Sequence, residues 1–105
     1  MGKGHEETVT VPLGVDDAYQ RALSATEAFK KAKLSDSDEQ SHRVELKVGM
    51  SFKSWGEKVI IQLEPESDDS TRAAVSSQAS LGTTMVDYGK NHDNVQQVKA
   101  WLTGK

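Results

Sequence analysis

At 105 residues the chain has the length of one domain, enough to bury roughly two-thirds of its unfolded surface around one core and little more. A formal net charge of −3 excludes the positive field that non-specific nucleic-acid binding needs, and the lack of cysteine excludes disulfides, thiolate catalysis and cysteine-held metal centres. No apolar run approaches the roughly 20 residues of a membrane span, and Met1–Glu6 lacks a signal peptide's apolar stretch, so the expectation is a cytoplasmic protein with no membrane span.

Residues 1–5 are small and polar and read as a disordered tail, leaving 6–104 as a single α+β domain. Residues 6–12 alternate, with Val9 and Val11 on one face and Thr8 and Thr10 on the other, the pattern of a half-buried strand. Residues 15–31 predict a helix whose apolar stripe is Val15, Ala18, Tyr19, Ala22, Ala25, Thr26 and Phe29. Asp16 and Asp17 in its opening turn, with Lys30 and Lys31 in its last, complement the helix dipole.

A weaker strand over 32–37 centres on Leu34, and the polar cluster 36–40 reads as a turn. Residues 42–49 alternate cleanly, with Val44, Leu46 and Val48 inward and Arg43, Glu45 and Lys47 outward. Residues 50–56 connect to a strand over 57–64 with Val59, Ile61 and Leu63 inward. Residues 65–70 read as a loop, and 71–80 as a last strand with the small inward set Ala73, Val75 and Ser77. The closing helix covers at least 91–102, with Val95, Val98, Trp101 and Leu102 on one face and Gly104 after it. The expected fold is therefore α+β: a curved antiparallel sheet of about five strands with two helices on one face, in the order β-α-β-β-β-β-α.

Chemistry is less explicit. His5, His42 and His92 lie far apart in sequence and at no metal-ligand spacing, so they read as surface residues, and no metal or cofactor is called for. The acidic loops around 36–39 and 68–69 lack a calcium loop's ligand spacing. No nucleophile elbow, phosphate loop or dinucleotide fingerprint occurs, and the expectation is a protein that is not an enzyme. Mixed charges on the outward strand positions (Arg43, Glu45, Lys47, Lys58, Glu64 and Arg72, with neutral Gln62 among them) describe a solvated face rather than one that tracks phosphates.

Two segments stand out. Residues 49–57 concentrate Met50, Phe52 and Trp55 in a connection between strands, where aromatics serve binding or close one end of the core. Residues 85–94 combine a helix start with Tyr88, Lys90 and Asn91, groups suited to a polar ligand or to capping and packing.

The element order is that of a repeat of the TATA-binding protein, and it resembles a reduced START-like helix-grip fold. Thr8-Val9-Thr10-Val11-Pro12 followed by Val15-Asp16-Asp17-Ala18-Tyr19 is similar to the opening of many helix-grip proteins. Ser51-Phe52-Lys53-Ser54-Trp55-Gly56-Glu57 and Asp87-Tyr88-Gly89-Lys90-Asn91 are similar to strings in small uncharacterised bacterial domains of this topology. The resemblance implies a fold and brings no established activity with it. The sheet lacks the basic, aromatic-wedge surface with which the TATA-binding protein bends DNA, and the chain is shorter than full helix-grip lipid or polyketide binders.

The functional expectation is a module that binds a small apolar or amphipathic ligand between the last helix and the sheet, near Phe52, Trp55, Tyr88 and Trp101. The alternative is a protein-interaction or oligomerisation module whose contact is the Met50–Trp55 connection. Sequence leaves the oligomeric state open.

Overall fold

The structure, a computed structural model, describes residues 4–49, 56–79 and 90–104. Within them β1 (His5–Val11) leads into α1 (Val15–Leu23) and a single 3₁₀ turn (Ala25–Ala28). Strands β2 (Ala32–Asp38), β3 (Arg43–Val48), β4 (Glu57–Ser67) and β5 (Ser70–Ala79) follow, and α2 (Lys90–Thr103) closes the chain. The five strands form one curved antiparallel sheet in the order β1-β5-β4-β3-β2. The chain thus crosses from one edge of the sheet to the other through α1, then returns strand by strand until β5 pairs with β1.

Alternation sets which face each strand buries, because successive side chains leave a strand on opposite sides. Val44, Leu46 and Val48 of β3, Val59, Ile61 and Leu63 of β4, and Ala73, Val75 and Ser77 of β5 are buried as the pattern requires. Val11 of β1, Ala18, Tyr19, Ala22 and Ala25 from the α1 region and Val95, Val98 and Leu102 from α2 complete the core. Both helices pack on this one face, α1 over β3, β4 and β5 and α2 over β5, β1 and β4.

Several boundaries and one burial differ from the sequence expectation, among them β2, which runs on to Asp38 inside the 36–40 stretch read as a turn. β1 begins at His5, inside the stretch read as a tail. The predicted helix over 15–31 stops at Leu23. Ser24 Oγ donates to the Arg21 carbonyl at 3.0 Å, a local alternative to the helical ladder, and a 3₁₀ turn follows before Phe29 takes up extended backbone. The 65–70 loop shrinks to the turn Asp68–Asp69, since β4 runs on to Ser67 through a register shift between Pro65 and Ser67. Leu34, the centre of the predicted 32–37 strand, is 45% exposed. It pairs with buried Leu46 and so shares its face, but β2 is the sheet's edge and the helices lie over the other four strands.

Reciprocal bonds couple the two helices. Trp101 Nε1–H donates to the Arg21 carbonyl at 2.9 Å, and Arg21 Nε–H donates to the Trp101 carbonyl at 2.6 Å. The Arg21 guanidinium also lies 5.6 Å from the centre of the indole ring, within cation–π range.

Candidate ligand cleft beneath the last helix

A cleft of about 430 Å³ opens where the 3₁₀ turn, the β3–β4 strand ends and the first half of α2 converge. Its described lining is Phe29, Lys30, Lys31, Val48, Gly49, Glu57, Asp93, Asn94 and Gln97. Register brings Val48 opposite Glu57 on neighbouring strands, and Gly49 N–H donates to the Lys31 carbonyl at 2.8 Å, which ties the β3 end to the chain after the 3₁₀ turn. Gly49 and Gly56 have φ of 75° and 73°, values that disfavour any side chain, so glycine at both marks where the chain leaves and rejoins the sheet.

A buried polar network reaches the cleft through two of its lining residues, Asn94 and Glu57. Ser77, Asn91 and Asn94 are 1%, 0% and 6% exposed, in a layer that is otherwise core. Ser77 Oγ–H donates to Asn91 Oδ1 at 2.7 Å, and Asn94 Nδ2–H donates to Ser77 Oγ and to Glu57 Oε1, both at 3.2 Å. Burying such groups is tolerated only when they are bonded to one another, and once bonded they hold each other's geometry. The cleft therefore combines apolar surface from Phe29 and Val48 with the bonded amide of Asn94, the amide of Gln97, the carboxylates of Glu57 and Asp93, and two lysines.

On the other flank of α2, Glu7 of β1 gathers three partners. Lys99 Nζ donates to Oε1 at 2.5 Å, Gln96 Nε2 donates to Oε2 at 2.8 Å, and His5 Nε2 lies 2.6 Å from Oε2. The His5 hydrogen bond, followed by that of Lys99, draws the Glu7 carboxyl from its usual 4.5 down to about 2. The sign follows directly. A depressed carboxyl adds stability that is fully present above pH 4.5 and is lost as pH falls through about 2. NMR titration of the side-chain carboxyl is expected to give a midpoint near 2. Glu7→Gln is expected to flatten the acid limb of the stability curve over that window. A midpoint at the ordinary value would show that the three partners do not hold the charge in solution.

Of the residues the sequence singles out for binding, Phe52, Trp55 and Tyr88 lie outside the described residues. Trp101 is half-buried between the helices, with its indole nitrogen bonded to the Arg21 carbonyl, and it is not among the described residues that line the cleft. Sequence reasoning misses the Ser77–Asn91–Asn94–Glu57 network, since residues on three elements meet only through strand register and helix placement. It also leaves His5, Glu7 and His92 unrelated. A signal for the first two is present, because the alternation of Val9 and Val11 carried back two and four places falls on Glu7 and His5. His92 and Asp93, neighbours in sequence, lie 3.6 Å apart as an exposed pair.

No family model matches the chain, and no curated protein matches it in sequence. Solved structures do match its fold. A START superfamily protein from Mycobacterium smegmatis is similar over 98% of this chain and 96% of its own, with a TM-score of 0.68 at 9% identity. The di-domain aromatase/cyclase BexL from the BE-7585A biosynthetic pathway matches 96% of this chain at a TM-score of 0.70 and 10% identity. This chain spans 45% of that protein. A norcoclaurine synthase point mutant from Thalictrum flavum, in complex with a transition-state analogue, matches 95% of this chain and 93% of its own at a TM-score of 0.55 and 9% identity. Element order, sheet topology and these likenesses agree that the chain has the fold of a small START-like helix-grip domain.

Proposed function

We propose that this protein is a non-enzymatic binding module that holds a small amphipathic molecule in the cleft between α2 and the sheet. The observation that carries the reading is the cleft's make-up, apolar surface from Phe29 and Val48 beside Asn94 and Glu57, which a buried network holds in place. Its volume falls in the roughly 300–1,000 Å³ range common for small-molecule sites. A ligand's apolar body would rest on Phe29 and Val48, and its polar end would meet Gln97, Asn94 and the lysines at the edge. Phe52 and Trp55 belong to the connection between Gly49, which lines the cleft, and Gly56, and Tyr88 precedes α2 by two residues. All three fit the aromatic part of such a site, and Trp101 serves as a fluorescent reporter of α2.

The test is a titration with 1-anilinonaphthalene-8-sulfonate and with fatty acids of medium length, followed by amide chemical shifts. Saturable shifts are expected at Phe29, Val48, Glu57, Asn94 and Gln97. Trp55→Ala and Gln97→Ala are each expected to weaken binding by roughly threefold to tenfold, the worth of one aromatic contact or one hydrogen bond. Ligand recovered chemically unchanged would agree with binding alone, whereas a converted product would identify an enzyme. Absence of any saturable response across the panel would remove the cleft from consideration.

A further inference from the structure

His5, Glu7 and His92 are distant in sequence, and the fold makes them neighbours. His5 and Glu7 stand two apart on β1, so the pleat sends both to the helix-covered face. His92 arrives from the first turn of α2. The His5 and His92 rings lie 4.8 Å apart between centres at an interplanar angle of 69°. One ligand atom from each of the three residues lies within 4.8 Å of the other two. Among the described residues this is the one group of three or more such side chains so arranged.

We propose that His5, Glu7 and His92 form a binding site for one divalent first-row transition-metal ion, Zn²⁺ being the best match, which pins the start of β1 to the first turn of α2. Two imidazoles and a carboxylate form a donor set that suits zinc, with a fourth position left to water. Calcium and magnesium prefer oxygen-only shells. Bonds of about 2.0–2.2 Å in a tetrahedron put ligand atoms roughly 3.3–3.6 Å apart. The 2.6 Å contact between His5 Nε2 and Glu7 Oε2 must therefore open, and the longest separation in the group, at most 4.8 Å, must close. Both are adjustments of side-chain torsions, and His92, with 55% of its side chain exposed, is free of close packing that would resist them.

The surroundings supply outer-shell partners. Lys99 holds Oε1 of Glu7 and leaves Oε2 toward the histidines, where the Gln96 amide also donates and would share that oxygen with the ion. Asp93 Oδ1 stands 3.6 Å from His92 Nδ1, beyond hydrogen-bond distance but within a small side-chain rotation of a bond that would orient the imidazole. Asn91 and Asn94 flank His92 in sequence and belong to the buried network, so an ion held here also fixes the turn that carries both.

The test uses the full chain, stripped with chelator and titrated with Zn²⁺ by calorimetry and by NMR of the histidine rings. One ion per chain is expected, with ring signals of His5 and His92 shifting and those of His42 unmoved. His42 packs edge-on against Tyr19, away from this group, and is the internal control. His92→Gln and Glu7→Gln are each expected to weaken binding at least about tenfold, no less than the loss of an outer-shell partner does. His42→Gln is expected to bind as the native chain does. Because His92 is exposed, His92→Gln should fold normally, which circular dichroism checks. A stoichiometry well below one, equal response of all three histidines, or unchanged binding by His92→Gln would each overturn the assignment.

Discussion

Leu46→Ala is expected to lower stability by about 3–4 kcal/mol, because truncating a fully buried leucine loses its transfer energy and leaves a cavity as well. Leu46 lies at the middle of β3, between Leu34 of β2 and Val59 of β4, and belongs to the core cluster that contains Ala18, Tyr19 and Ala22 of α1. Those α1 residues are mostly alanines, which have no longer side chain to swing into the space. β3 is bonded on both sides, so the sheet is also poorly placed to collapse around the void. For a domain of this size, each kcal/mol moves the melting temperature by about 4–8 °C, so the midpoint should fall by roughly 12–30 °C. Reversible thermal or urea unfolding reads this directly. A loss below about 1 kcal/mol would mean that the region between β3 and α1 is not close-packed.

Ser77→Ala is the second large expectation, at about 1–3 kcal/mol, although it removes only one oxygen. The hydroxyl gives its proton to Asn91 Oδ1 and accepts one from Asn94 Nδ2, in a layer where all three residues are buried. Alanine takes that donor from Asn91 and one of two acceptors from Asn94, and water has little access to replace them. The comparison variant is Ser76→Ala, one position along β5 on the opposite face and half-exposed, where the change should stay within about 0.5 kcal/mol. If both cost the same, the network beneath α2 adds nothing beyond strand propensity. If Ser77→Ala also reduces ligand binding, the buried network and the cleft act as one unit.

The legibility of this chain divides along the range of the forces involved. Strands β3, β4 and β5 can be read from sequence because each buries one face, and period-two alternation records that burial residue by residue. Val44, Leu46, Val48, Val59, Ile61 and Leu63 all lie on the side that the alternation indicates. The end of α1 cannot be read in this way, because the apolar stripe continues through Ala25 and Phe29 while the backbone has already turned at Ser24. Leu34 departs from its pattern for a related reason. Alternation indicates its face correctly, but no local signal says that β2 is an uncovered edge.

The candidate site is barely visible in the chain, since its parts come from separate elements. Glu57 opens β4, Ser77 lies near the end of β5, and Asn91 and Asn94 stand on α2. Each alone reads as an ordinary polar residue. Trp101, by contrast, is conspicuous in sequence, and the fold assigns its indole nitrogen to a bond between two helices.

Periodicity and turn chemistry act over a few residues, so the order of the five strands and two α-helices and the inward face of each strand are already written in the chain. That β1 pairs with β5 and that α2 lies across both is not written there. Nor are the consequences, that Glu7 meets Lys99, His5 meets His92 and Ser77 meets two asparagines. Those meetings follow from closing the sheet and burying both helices on one face at once. That is a sum over many distant contacts, and no short stretch of the chain records it.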